Sequence, residues 1–259
     1  MDSRRVFLGV SAIVFAASAA MTIASCASMS AMGEMQMPGG WAMSMMWMRM
    51  PGQTWLGTAT SFVGMWVVMM VAMMLPSLTP LLWRYREAVR NAGGAHVGWL
   101  TALVGVGYFA VWAVFGVIVF PMGVALAASV MREPALARAV PIVVGAVVLI
   151  AGALQHTGWK ARHLAFCRET PDRCLALPAA AGAALRHGVR LGVHCSHSCL
   201  GLTAVVLGFG LMDLRVMAVV AAAITAEHLA SAGVFVARAI GAVGVGAGCF
   251  LIARAAGLG

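Results

Sequence analysis

Apolar runs of about twenty residues, separated by short connections that carry arginine, recur along this chain at 2–26, 56–75, 97–120, 139–157, 190–211, 215–232 and 239–256. A bilayer core requires about 20 apolar residues per helical span, and the last two runs are on the short side. Lipid offers no partner for backbone N–H and C=O groups, so a spanning run must be helical. The expected fold class is all-α: a polytopic transmembrane bundle of about seven helices, or six if the first run is removed. Composition agrees. The chain is 62% hydrophobic and 10% charged, whereas soluble domains are about 25% charged. Disordered chains need the opposite balance.

The first segment, 1–27, has two readings. Arg4 and Arg5 precede an apolar run, as in a first membrane helix or an export signal. Ser3-Arg4-Arg5-Val6-Phe7-Leu8 resembles a twin-arginine signal, and Ile23-Ala24-Ser25-Cys26 resembles a lipoprotein box with Cys26 as the lipidated residue. Residues 28–54 read as an external loop, in which Pro38-Gly39-Gly40 and Pro51-Gly52 break regular structure. Residues 55–256 read as a six-helix membrane bundle with a long cytoplasmic loop at 158–189. Gly244-x-x-x-Gly248 is a close-packing signal.

The net charge is +9. A basic balance can indicate nucleic acid, but all but one of the 17 cations are arginine and most lie in the connections. They read as topology signals, and no nucleic-acid partner is expected. With the N-terminus inside, 12 cations fall on the cytoplasmic side and 5 outside, as the positive-inside rule requires. The six cysteines stand in six different contexts, which excludes a secreted disulfide scaffold.

Methionine is the outlier. Of 20 Met, 16 lie within residues 1–75. Met29, Met32, Met35, Met37, Met43, Met45, Met46, Met48 and Met50 crowd the outer loop. Thioether sulfur is a soft ligand that suits Cu(I). The competing reading is an interfacial anchor shared with Trp41, Trp47 and Trp55, or an adaptable contact surface. In the next run, Met65, Met69 and Met73 repeat at i, i+4, i+8, with Met70 and Met74 beside them. That spacing stacks side chains on one helix face, over about 12 Å from Met65 to Met73. A thioether ladder leading inward from the loop is a path for Cu(I); the alternative is gap-filling Met.

His194-Cys195-Ser196-His197-Ser198-Cys199 is expected to open a membrane helix just after Arg190. Cys195 and Cys199 share a face, and His194 and His197 share an adjacent one. All four span roughly 200° of helix, so a metal uses one pair and another helix completes the site. Imidazole inside a membrane is costly and usually functional. Glu227-His228 supplies either that completion or a proton acceptor, unless it merely meets water or Arg238. His156 is a weaker candidate of the same kind. On the 158–189 loop, His163 and Cys167 are one turn apart, with Lys160, Arg162 and Arg168 placed to lower a thiol pKa. Cys167 and Cys174 do not have zinc-ribbon spacing.

Met65-Trp66 through Pro76, Gly158-Trp159-Lys160 with Cys167, and Gly188 to Gly201 with Cys195 and Cys199 resemble the bacterial family described as predicted metal-binding integral membrane proteins, over roughly 55–256. The resemblance implies a multi-helix membrane protein with a metal site and no defined reaction. The Met-rich outer loop and the export-like N-terminus are embellishments of this member. The charge topology gives the expected location as the bacterial inner membrane, with that loop periplasmic. The positions matching the family are Met69, Met70, Met73, Met74, Lys160, Cys167, Cys195, Cys199 and Glu227. This chain has Ser198 where a further cysteine is expected, and His194 and His197 are additions. Both departures favour a mixed His/Cys site over a thiolate-only one.

The leading expectation is copper capture, transport or delivery, with Cu(I) the first choice of ion and zinc the alternative. The expected partners are the lipid bilayer, the metal ion, and a metallochaperone or a membrane-complex subunit. The competing expectations are a membrane-bound copper or thiol oxidoreductase, and a scaffold or assembly subunit; an enzyme is the less favoured class. The chain lacks G-x-x-x-x-G-K-[ST] and H-E-x-x-H, so neither an ATP-driven pump nor a zincin is supported.

Overall fold

The structure, a computed structural model, describes residues 2–31, 33, 35–49, 52–169 and 180–257. Eight α-helices are found among the described residues: α1 (Asp2–Ala31), α2 (Trp55–Asn91), α3 (Val97–Arg132), α4 (Pro134–Leu154), α5 (Gly158–Glu169), α6 (Ala181–Phe209), α7 (Leu214–Leu229) and α8 (Gly233–Ala255). The chain is an all-α bundle. Six of these helices, α1, α2, α3, α4, α6 and α8, are long and apolar enough to cross a membrane. The run expected at 215–232 becomes α7, of 16 residues, or about 24 Å at 1.5 Å per residue. That is short of a bilayer core. Asp213 starts α7 by accepting hydrogen bonds from the N–H groups of Arg215 and Val216.

Several helices overrun their expected ends. α2 continues through Pro76 and Pro80 to Asn91. An interior proline costs about 3 kcal/mol, yet Met74, Leu78, Leu82, Tyr85 and Val89 keep one face buried past both prolines. That burial outweighs the lost backbone bonds. α6 begins at Ala181 rather than near Arg190, so the His/Cys run lies in mid-helix. The segment expected as a loop from 158 contains α5, which packs against α6, α7 and α8.

The segment after α1 is folded too. Strands β1 (Met35–Met37) and β2 (Trp41–Met43) pair antiparallel, with Met35 opposite Met43 and Met37 opposite Trp41. Pro38-Gly39-Gly40, expected to break regular structure, forms the turn that joins them; both glycines have positive φ. The Trp41 indole donates to the Ala137 carbonyl of α4, and Trp47 packs on Phe62 of α2. The Cys26 box lies inside α1, with Cys26 buried. Met32, Met50 and Cys174 lie outside the described residues.

Glycine sets the two tightest helix pairs. At Gly188 of α6, an added Cβ would fall on the Val104 carbonyl of α3. At Gly152 of α4, it would meet the backbone of Gly241 and Val245 in α8. Without side chains at these points the backbones approach closely, as small residues allow in membrane helices. The α3–α6 contact matters most, because it brings Tyr108 against Cys195.

Gly188→Val should lower stability by about 1–3 kcal/mol through overpacking, read as thermal unfolding of the purified protein in detergent. Gly182→Ala, at a position with open space around it, should leave the midpoint nearly unchanged.

Candidate metal site

Cys195 and Cys199 are four residues apart on α6, so helical geometry alone puts both thiols on one face. Both are buried, and their sulfurs are 3.8 Å apart. Metal–sulfur bonds of about 2.3 Å at tetrahedral to trigonal angles place two sulfurs roughly 3.8–4.0 Å apart. The pair is therefore spaced for one ion. The two thiols are buried, while His197 of the same run is exposed.

The third donor comes from α7. His228 Nδ1 and the Ile224 carbonyl are 2.8 Å apart, so Nδ1 carries the proton and Nε2 keeps its lone pair. Nε2 is buried without a hydrogen-bond partner. An orphaned buried nitrogen costs roughly 1–3 kcal/mol, and a backbone carbonyl fixing the tautomer is the usual arrangement behind a metal-bound histidine. Ligand atoms of Cys195, Cys199 and His228 all lie within 4.8 Å of one another. A cavity of about 10 Å³ adjoins them, lined by Ser77, Leu78, Tyr108, Cys167, Cys195 and His228 among others. That volume admits about one water-sized centre.

Cys167 of α5 is buried on this cavity, with its thiol in hydrogen-bonding contact with Cys195. The Tyr108 hydroxyl donates to Cys195 Sγ at 2.9 Å. Ser198, the residue in place of an expected cysteine, turns its hydroxyl onto the Cys195 carbonyl at 2.9 Å and lies 3.6 Å from Cys199 Sγ.

Glu227 does not join the thiols. One carboxylate oxygen accepts from Lys160 Nζ at 2.6 Å, and the other accepts from Gln155 Nε2 at 2.7 Å. Lys160 also donates to the Ser198 carbonyl at 2.5 Å. Lysine and glutamate side chains are 3% and 0% exposed, so this is a buried ion pair, with the Ser198 carbonyl and Gln155 as further hydrogen-bond partners. The expectation that Lys160 sits on a loop gives way to this pairing, as do both readings of Glu227, a metal ligand or a group meeting water or Arg238. Arg168, at the end of α5, donates to the Glu227 and Ser231 carbonyls and so covers the C-terminal end of α7.

His163, His194 and His197 form a separate cluster on the outer side of the α5–α6 contact, described below. Burial, the nearby His197 imidazole and the Arg162 guanidinium hold His163 below the ordinary imidazole value. Acid that charges it therefore costs the fold stability. His156 is exposed beside Gly241, away from the thiols. Met69, Met70, Met73 and Met74 are buried in the core, and Met65 is half-buried against it. Leu78 continues the Met70–Met74 row by one turn and walls the cavity. Loop residue Met46 belongs to the same contiguous apolar cluster as these methionines and Cys167, Cys195 and Cys199.

Sequence reasoning missed Tyr108 and Gln155. Tyr108 had a usable signal: it is one of two tyrosines in the chain and stands in an apolar helix, where a buried hydroxyl needs a partner. Gln155, at the end of α4, had none.

The family model of PpoB2, described as a copper chaperone, matches residues 63–251. No curated protein and no solved structure matches the chain.

Lys160→Met should lower stability by about 3–5 kcal/mol, since it leaves the Glu227 carboxylate buried and uncompensated. Lys160→Met with Glu227→Gln should recover most of that loss, because no unpaired charge remains. Thermal unfolding in detergent reads both.

Proposed function

The chain belongs to the PpoB2 copper-chaperone family, matched over residues 63–251, and from that premise we propose that it is an integral membrane protein that binds Cu(I) between Cys195, Cys199 and His228 and passes it on. The observation that carries this reading is the convergence of two thiols and an imidazole nitrogen without a partner beside a cavity of ion size. Thiolate and imidazole are the donors that copper favours, and thiolate selects Cu(I). Cys167 lines the same cavity and its thiol neighbours that of Cys195. Binding requires the thiols to lose their protons. The Tyr108 hydroxyl then stabilises the Cys195 thiolate through a hydrogen bond to charged sulfur.

Membrane insertion is supported by the six long apolar helices and by the side chains they expose. Val10 and Ile13 of α1, Val106 and Val117 of α3, and Phe235, Val243 and Phe250 of α8 are each more than half exposed. Lipid solvates such a surface; water does not. With the arginine-rich connections inside, the Met hairpin is external. Tyr108 then lies roughly 17 Å along α3 from its cytoplasmic end.

Copper reaches the site from the outer methionines. Met35 and Met43 face each other across the hairpin, and the buried Met69, Met70, Met73 and Met74 lead along α2 toward the cavity. Thioethers hold Cu(I) without deprotonation and more weakly than thiolates, so transfer runs toward the cysteines. A metallochaperone or a membrane-complex subunit is the acceptor.

The full chain purified under reducing conditions should hold about one copper ion, retained through dialysis. Cys195→Ser with Cys199→Ser should abolish it, and His228→Ala should weaken it by roughly ten-fold or more. Replacing Met69, Met70, Met73 and Met74 with Leu should slow loading from outside in proteoliposomes and leave equilibrium affinity unchanged. Wild type free of copper and zinc, or a double-serine variant with full copper, would overturn the proposal. Zinc in place of copper, lost with the double-serine variant, would change the ion but keep the site.

A further inference from the structure

α6 carries a second donor set on its other side. His194 and His197 are three residues apart and share a helix face, and α5 sets His163 against both. The Nδ1 atoms of His163 and His194 are 3.0 Å apart, so both lone-pair directions meet in one gap with a single proton between them. Two nitrogens on one ion, each about 2.0–2.1 Å from it, lie roughly 3.0–3.4 Å apart. The gap is therefore sized for an ion in place of the proton. His197 stacks beside His163, with ring centroids 5.0 Å apart and planes 13° from parallel. Its Nδ1 is 2.6 Å from the Val193 carbonyl. Turning the ring toward His163 and His194 exchanges that contact for a bond to the ion. Trp159 meets both His163 and His197 edge-on, and Phe166 stacks on His194. These rings give the cluster an aromatic frame.

We propose that His163, His194 and His197 form a second metal site, built on imidazole alone and suited to a divalent borderline ion such as Zn(II) or Cu(II). The set contains no sulfur, and imidazole favours these ions. His163 and His194 are already in place; His197, exposed on the next turn, swings in through its side-chain torsions. The site shares no donor with Cys195, Cys199 and His228, so it stands apart from the copper reading. It also differs in access: the thiols are 3% and 0% exposed, whereas His197 opens to the surroundings. The protein thus offers a buried soft site and an accessible harder one on opposite sides of one helix.

The test is equilibrium dialysis of Zn(II) against the full chain in detergent, first loaded with Cu(I), with both metals measured. The expected result is one bound Zn(II) per chain. His163→Ala should weaken it by roughly ten-fold or more, and the exposed His197→Gln should weaken it as well, with helical content and copper unchanged in both. Cys195→Ser with Cys199→Ser should lose copper and keep Zn(II). Absence of Zn(II) from the wild type, its survival unaltered in both histidine variants, or its loss with the cysteines would overturn the proposal. A wild type that holds no copper but binds Zn(II) through His163 would leave the imidazole site standing and sink the copper reading alone.

Discussion

The buried contact between Lys160 and Glu227 holds the functional half of this molecule together. The lysine reaches from α5 to the Ser198 carbonyl of α6 and to the Glu227 carboxylate of α7. Three helices meet at one ammonium group. Two charges out of water are expensive, and their attraction repays that cost only when the geometry is good and the other valences are filled. Gln155 fills one, and the Ser198 carbonyl fills another. The arrangement has a positional consequence. Ser198 adjoins Cys199, Glu227 adjoins His228, and Lys160 precedes Cys167 by two helical turns. Fixing the ion pair fixes Cys199, His228 and Cys167, although no hydrogen bond joins the pair to any of them.

Along the proposed route the thioethers lie on the hairpin and α2 and the thiols on α5 and α6; Cys26 of α1 and Cys249 of α8 are further free thiols that the route does not use. A thioether needs no deprotonation and binds Cu(I) loosely, while a thiolate binds it tightly. The apolar cluster joining Met46, the α2 methionines and the cysteines keeps water from the route. Those methionines also do ordinary work as core residues. Met fills irregular gaps near helix-breaking positions, and α2 carries Pro76 and Pro80 immediately beyond them. Packing and ligation are compatible uses of the same side chains.

On the proposed reading, one helix serves two chemistries. Successive residues differ by about 100° around the axis, so His194 and Cys195 diverge although they are adjacent. α5 answers both faces, with His163 at one and Cys167 at the other. A short amphipathic helix, expected as part of a loop, therefore decides which donors are buried and which are accessible.

How much was legible beforehand follows from the range of each interaction. Local periodicity carried the all-α bundle, the shared face of Cys195 and Cys199, the shared face of His194 and His197, and the Met rows of α2, because each depends on spacings of three or four residues. Helix ends were less legible. The run expected at 56–75 continues through Pro76 and Pro80 because its buried face does, and Pro38-Gly39-Gly40 looked like a break but joins two strands. Only the tertiary structure decided that His228 completes the thiol pair while its neighbour Glu227 turns away to Lys160, and that Tyr108 reaches Cys195. Those partners lie tens of residues apart, and no local pattern records which face of one helix meets which face of another; close backbone approach at residues such as Gly188 settles that.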